Sequence, residues 1–110
     1  MVDGKNTVIK LVKRYIRELE KHQIPIQEAY LFGSWTNNRA REYSDIDIAL
    51  ISPAFTEDWF EMRRKIVPLR RNIDSRIEPM PYNPEDFAYG GILIDEIKRT
   101  GIRVHLRNSK

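Results

Sequence analysis

The chain has 110 residues, 41% of them hydrophobic and 32% charged, which suits one small folded domain and excludes a disordered chain. It has no cysteine, so neither a disulfide nor a thiolate metal site is available. The net charge of +3 fits an ordinary soluble surface and is also compatible with binding polyanions such as nucleoside triphosphates. No apolar run approaches the roughly 18 residues that a membrane helix needs. Met1-Val2-Asp3-Gly4-Lys5 lacks the apolar core of a signal peptide, so a cytoplasmic location is expected.

Residues 6–22 read as an amphipathic helix. Val8, Leu11, Val12, Tyr15, Ile16 and Leu19 recur at helical spacing, and Asn6 or Thr7 is the expected cap. Lys10, Lys13, Arg14, Arg17 and Lys21 lie on the other face, a solvated surface. Ile24-Pro25 closes the segment, because the residue before proline disfavours helix. Glu28-Ala29-Tyr30-Leu31-Phe32 reads as the first strand and Gly33-Ser34 as the tight turn that ends it. Residues 35–43 are polar and basic, a short helical turn plus loop, with Trp35 expected to pack under the turn as core. Ser44 is placed to order this connector. Arg39 and Arg41 lie here; each is either a phosphate contact, for which the guanidinium fork is suited, or part of a solvated loop.

Asp45 to Ile51 reads as a second strand. Residues two apart on a strand face the same side, so Asp45 and Asp47 converge on one spot while Ile46, Ile48 and Leu50 face a core. Adjacent carboxylates raise each other's pKa, and a cation between them removes the conflict. Paired oxygen ligands suit Mg²⁺, which takes one or two carboxylates plus substrate phosphates. Small residues at a strand-to-helix turn expose backbone N–H groups that receive phosphate, so Gly33-Ser34, ten residues before Asp45, reads as a nucleotide-binding turn.

Residues 55–70 read as a second helix with Thr56 as N-cap and Pro68 kinking its last turn. Asn72 to Pro79 reads as a third strand, with Ile73, Ser75 and Ile77 on one face and Asp74, Arg76 and Glu78 on the other. Met80-Pro81-Tyr82-Asn83-Pro84 reads as a proline-rich turn, Glu85-Asp86 as a helical turn and Gly90-Gly91 as a break. Ile92 to Arg99 is the last helix, Gly101 its C′ glycine, and Ile102 to Leu106 a final strand with His105 at the surface. This order predicts an α/β (α+β) domain over 1–110, a small mixed sheet flanked by helices.

Gly33-Ser34-x10-Asp45-x-Asp47 resembles the signature of the polymerase-β-like nucleotidyltransferase superfamily, and Ile73-Asp74-x-Arg76-Ile77 resembles that family's third-carboxylate strand. The resemblance implies that Gly33 and Ser34 contact a nucleoside triphosphate, ATP in the common case. It implies two Mg²⁺ ions on Asp45, Asp47 and Asp74; Glu78, on the same strand face as Asp74, is the alternate third acid, over which the resemblance favours Asp74. It also implies in-line attack on the α-phosphate with loss of pyrophosphate. A chain this short resembles the minimal nucleotidyltransferases, which pair with a HEPN-type toxin as its antitoxin and attach AMP to it. A homo- or hetero-oligomer follows from that. The alternatives are a catalytically silent antitoxin that masks its toxin, or a protein that adds nucleotides to RNA or a small molecule. Nucleic acid is the weaker partner, since no binding motif accompanies the basic residues at 63–71.

Overall fold

The alternation of Ile46, Ile48 and Leu50 with Asp47, Ala49 and Ile51 puts a side chain from each set on opposite faces of one strand, and two cores form accordingly. A computed structural model describes residues 4–41 and 43–107. Four strands, β1 (Glu28–Phe32), β2 (Ile46–Ile51), β3 (Ile77–Tyr82) and β4 (Ile102–Leu106), form one sheet in the order β3-β2-β1-β4. β1 is antiparallel to β2 and β4, and β3 is parallel to β2, so the sheet is mixed as the sequence predicts.

One face of the sheet carries α1 (Lys5–Lys21) and α2 (Trp59–Ile66), joined through Val8, Val12, Leu19, Ile48, Leu50 and Ile66. The other carries α3 (Pro84–Tyr89) and α4 (Ile92–Thr100), where Phe87, Ile94 and Ile97 cover Ala49 and Ile51. Burial of these side chains, at about 1.5–3 kcal/mol each, is the main stabilising term.

Several sequence expectations shift. α1 is capped by Gly4 with no side-chain cap, in place of Asn6 or Thr7, which lie inside the helix. α2 starts at Trp59 because the Asp58 carboxylate, and not Thr56, accepts the N–H of Glu61 at 3.1 Å. Beyond Ile66 the chain tightens into a 3-10 turn, Val67–Arg70, around Pro68, as expected of a proline there. Gly101 ends α4 at φ −75°, so it is not a left-handed cap. Its lack of a side chain is needed because an added Cβ would come within 2.5 Å of the Ile97 carbonyl oxygen. His105 is partly buried, with Nε2 at 2.9 Å from the Ile26 carbonyl oxygen.

The largest correction concerns the third strand. β3 spans Ile77–Tyr82, not 72–79, and contains both Pro79 and Pro81. Proline is tolerated there because β3 is at the edge of the sheet, where an outward-facing N–H has no partner to lose. The prolines also blunt the edge against pairing with another strand.

Tyr15 ties the two helices of the first face together: its buried hydroxyl donates to the Ile66 carbonyl oxygen at 2.5 Å, and burial raises its pKa. Removing the hydroxyl takes away this bond between α1 and the end of α2. Tyr15→Phe is therefore expected to lose about 0.5–1.5 kcal/mol in a urea melt, and an unchanged midpoint would contradict the role of this bond.

Candidate active site

The β1–β2 hairpin builds the centre of the site. β1 ends at Phe32, which pairs with Asp47, and the chain turns at once through the 3-10 segment Gly33–Thr36. Gly33 has φ +80°, a left-handed conformation that glycine adopts without penalty. A Cβ on Gly33 would come within 2.5 Å of Asp47 Oδ2, so glycine is what lets the carboxylate sit against the backbone of the turn. Two needs, backbone angle and space, fall on the same residue.

The turn is closed by its own groups. Thr36 Oγ1 donates to the Gly33 carbonyl oxygen at 2.8 Å, and the Ser34 carbonyl oxygen accepts from Arg39 N at 3.2 Å. Trp35 packs beneath it in the core, as expected. The first N–H groups of a helical turn have no partner within the turn, and Gly33 and Ser34 stand at that position. Arg39 and Arg41 are exposed in the connector that follows. Ser44 orders that connector: Oγ accepts from Arg41 N at 2.8 Å, and Ser44 N donates back to the Arg41 carbonyl oxygen at 2.9 Å.

Asp45 is exposed at the entry to β2, and Asp47 is partly buried one residue inside the strand. The Asp47 carboxyl is pushed above its usual value by burial, then by the charges of Asp45 and Glu78. Glu78 lies directly across the parallel β2–β3 ladder from Asp47, at the strand spacing of about 4.8 Å.

Asp74 is placed differently from its expected position. It does not lie on a strand with Arg76 and Glu78; it lies in the turn before β3. Its carboxylate is held by three donor atoms of Arg76: N and Nε donate to Oδ1 at 2.8 and 2.9 Å, and Nη2 to Oδ2 at 2.7 Å. These bonds hold the Asp74 carboxyl below the usual carboxylate range. The structure thus sets Asp45 and Glu78 near Asp47 and pairs Asp74 with Arg76 in the turn before β3. What differs is the start of β3: once the strand begins at Ile77, Glu78 shares its face with Met80 and Tyr82, and Asp74 lies outside it.

The donor set suits a hard cation, since all three acids offer oxygen and Asp47 carries charge that its surroundings do not offset. The Cβ-free cradle at Gly33 leaves its carboxylate accessible from the turn. Among the described residues, no three carboxylate or imidazole groups are already gathered around one point. Glu78 is turned instead toward two arginines of the α2 segment, Arg63 and Arg70. A cavity of about 440 Å³ between the end of α1 and α2, lined by Ile24, Phe55, Met62 and Ile66 among others, includes none of these acids.

Comparison with known proteins places this geometry in a family. The model of the nucleotidyltransferase domain matches residues 9–108, nearly the whole chain. The chain belongs to the nucleotidyltransferase domain family. No curated protein matches in sequence. A structure from Sulfolobus solfataricus, described as a candidate nucleotidyltransferase, superposes with a TM-score of 0.64 at 18% identity over 90% of this chain and 80% of that one. A toxin–antitoxin complex with AMP-PNP gives a TM-score of 0.52 at 24% identity, covering 96% of this chain and 75% of the other. The toxin–antitoxin MntA-HpeT, in a mutant form, gives 0.52 at 23% identity with the same coverage. At these identities the likeness is one of fold.

Asp47 also sets a pH dependence. Its folded pKa lies above the unfolded value, so its effect on stability is most favourable below pH 3.8 and is lost as pH rises through the folded value. Without divalent cations, Asp47→Asn is therefore expected to melt higher than the native chain at pH 7, with the gain vanishing as pH falls below 3.8. A lower melting point for the variant at pH 7 would contradict the unrelieved charge.

Proposed function

We propose that this chain is a metal-dependent nucleotidyltransferase that moves AMP from ATP to a hydroxyl on a HEPN-type toxin partner, and so acts as an antitoxin. The observation that carries the catalytic half is the Asp47 carboxylate lodged against Gly33, with Asp45 two residues before it and Glu78 across the ladder. Family membership supports nucleotidyl transfer. The antitoxin half takes its support from the two toxin–antitoxin complexes of like fold, one holding AMP-PNP.

In this reading Gly33 and Ser34 hold the β- and γ-phosphates through backbone N–H groups and the Ser34 hydroxyl. Arg39 and Arg41 reach the same oxygens from the connector. Asp45 and Asp47 hold the cations, and Glu78 takes the third place in preference to Asp74. Two Mg²⁺ ions, when bound, would neutralise charge on the attacking and leaving oxygens. The acceptor oxygen bonds to the α-phosphorus as the bond to the β-phosphate oxygen breaks, and pyrophosphate leaves. The hydroxyl proton passes to a carboxylate of the third position. The rest is orientation, because phosphoryl-type transfer asks the protein for placement and charge more than for covalent chemistry.

The test is transfer of label from α-labelled ATP with Mg²⁺, with and without the candidate toxin protein. Partner-dependent labelling is expected and should disappear in Asp45→Asn/Asp47→Asn. Glu78→Gln should lose roughly 100-fold or more, whereas Asp74→Asn should lower stability and keep most of the transfer. Loss of transfer in a well-folded Asp74→Asn, with Glu78→Gln active, would return the third position to Asp74. Tight partner binding with no labelling by any nucleotide would leave a masking antitoxin instead.

A further inference from the structure

Glu78 is an anion at the edge of a sheet beside two other anions, and left to itself it would be driven outward by Asp47 and Asp45. Two cations hold it. Arg63 of α2 donates from Nη2 to Glu78 Oε1 at 2.9 Å. Arg70, in the 3-10 turn after α2, brings Nη1 to 3.6 Å from Oε2, too long for a hydrogen bond, while donating from the same atom to the Ile77 carbonyl oxygen at 2.5 Å. The two contacts are unequal: one oxygen is gripped and the other only approached.

The grip is itself fixed. Arg63 lies over the Trp59 ring at 5.2 Å, and its Nε is buried with no acceptor among the described residues. A buried donor left without an acceptor is costly, so this guanidinium adds less to stability than its ion pair with Glu78 alone would. The carbonyl of Ile66, at the end of α2, is anchored by Tyr15.

We propose that Arg63 is a positioning residue for the third carboxylate: it fixes Oε1 of Glu78 so that Oε2, loosely held by Arg70, is the oxygen presented toward Asp47 and a bound cation. Arg63 touches neither nucleotide nor cation; it acts through Glu78. Helix α2 thereby becomes part of the site, although it packs on the opposite face of the sheet from α3 and α4. The inference rests on the reading of Asp45, Asp47 and Glu78 as a cation site.

The experiment is titration of the full chain with Mn²⁺ alone, followed by electron paramagnetic resonance, with no nucleotide present. Arg63→Met is expected to weaken Mn²⁺ binding about tenfold, in the range typical for groups that orient a metal ligand. Glu78→Gln should weaken it by a similar factor, and the double variant should be no weaker than Glu78→Gln. Such non-additivity is what a residue acting through another gives, and a general structural role would not produce it. Arg63→Lys keeps the charge but not the fork, and is expected to melt near the native temperature while still binding Mn²⁺ weakly; it carries the test if Arg63→Met folds poorly. Unchanged or tighter Mn²⁺ binding in both Arg63 variants, or effects that add in full to Glu78→Gln, would overturn the proposal. Asp47→Asn separates the two levels. If it abolishes Mn²⁺ binding while the Arg63 variants bind normally, only the role of Arg63 fails; if it leaves binding intact, the cation site itself is wrong.

Discussion

A carboxylate packed against a residue with no side chain is the constraint on which the candidate site depends. Asp47 sits where a Cβ on Gly33 would be. That contact requires β1 to end at Phe32, requires the chain to turn with positive φ, and requires β2 to begin in register beside it. The polar connector between them has only to span the hairpin, and Ser44 and Arg41 close it locally. The result is an anion held at the start of a turn whose first N–H groups are free of turn partners. Burial first, and then the charges of Asp45 and Glu78, raise its pKa.

The sheet serves this arrangement by giving its two faces different work. One face is closed under α1 and α2, where Tyr15 fixes the end of α2. The other is closed under α3 and α4 over Ala49 and Ile51, while Asp47, two residues back along the same face, stays partly exposed. Glu78 belongs to this face through the parallel ladder, and its arginine partners come from the α2 segment at the sheet edge. The edge strand thus joins the two sides. This arrangement is the fold of the nucleotidyltransferase domain family, to which the chain belongs.

What could be read from the sequence was what is local. The first two strands and the Gly-Ser turn, the alternation in β2, the core role of Trp35, the tightening at Pro68 and the final strand all follow from neighbours within a few residues. Asp58 as the cap of α2 was missed because Thr56 and Asp58 are both acceptable caps, and tertiary packing of Met62 and Ile66 chose between them. β3 was missed for a different reason. Two prolines in six residues read as a turn in isolation, and only the position at the sheet edge makes them compatible with a strand. That shift is what moves the proposed third acid from Asp74 to Glu78. With the strand started five residues too early, Asp74 and Glu78 fell on one face and the motif favoured Asp74; in the folded chain Asp74 closes a turn with Arg76 and Glu78 stands beside Asp47 on the ladder. The arginines that hold Glu78 had no sequence signal beyond a basic helix end.

The most direct measurement is anomalous diffraction from crystals grown with Mn²⁺ and a non-hydrolysable ATP analogue. The account predicts manganese bonded to Asp45 and Asp47, with Glu78 contributing an oxygen, the triphosphate at Gly33-Ser34, and Asp74 still paired with Arg76. Manganese bonded to Asp74 with Glu78 remote, or nucleotide bound elsewhere with no ion at the Asp45–Asp47 pair, would contradict it.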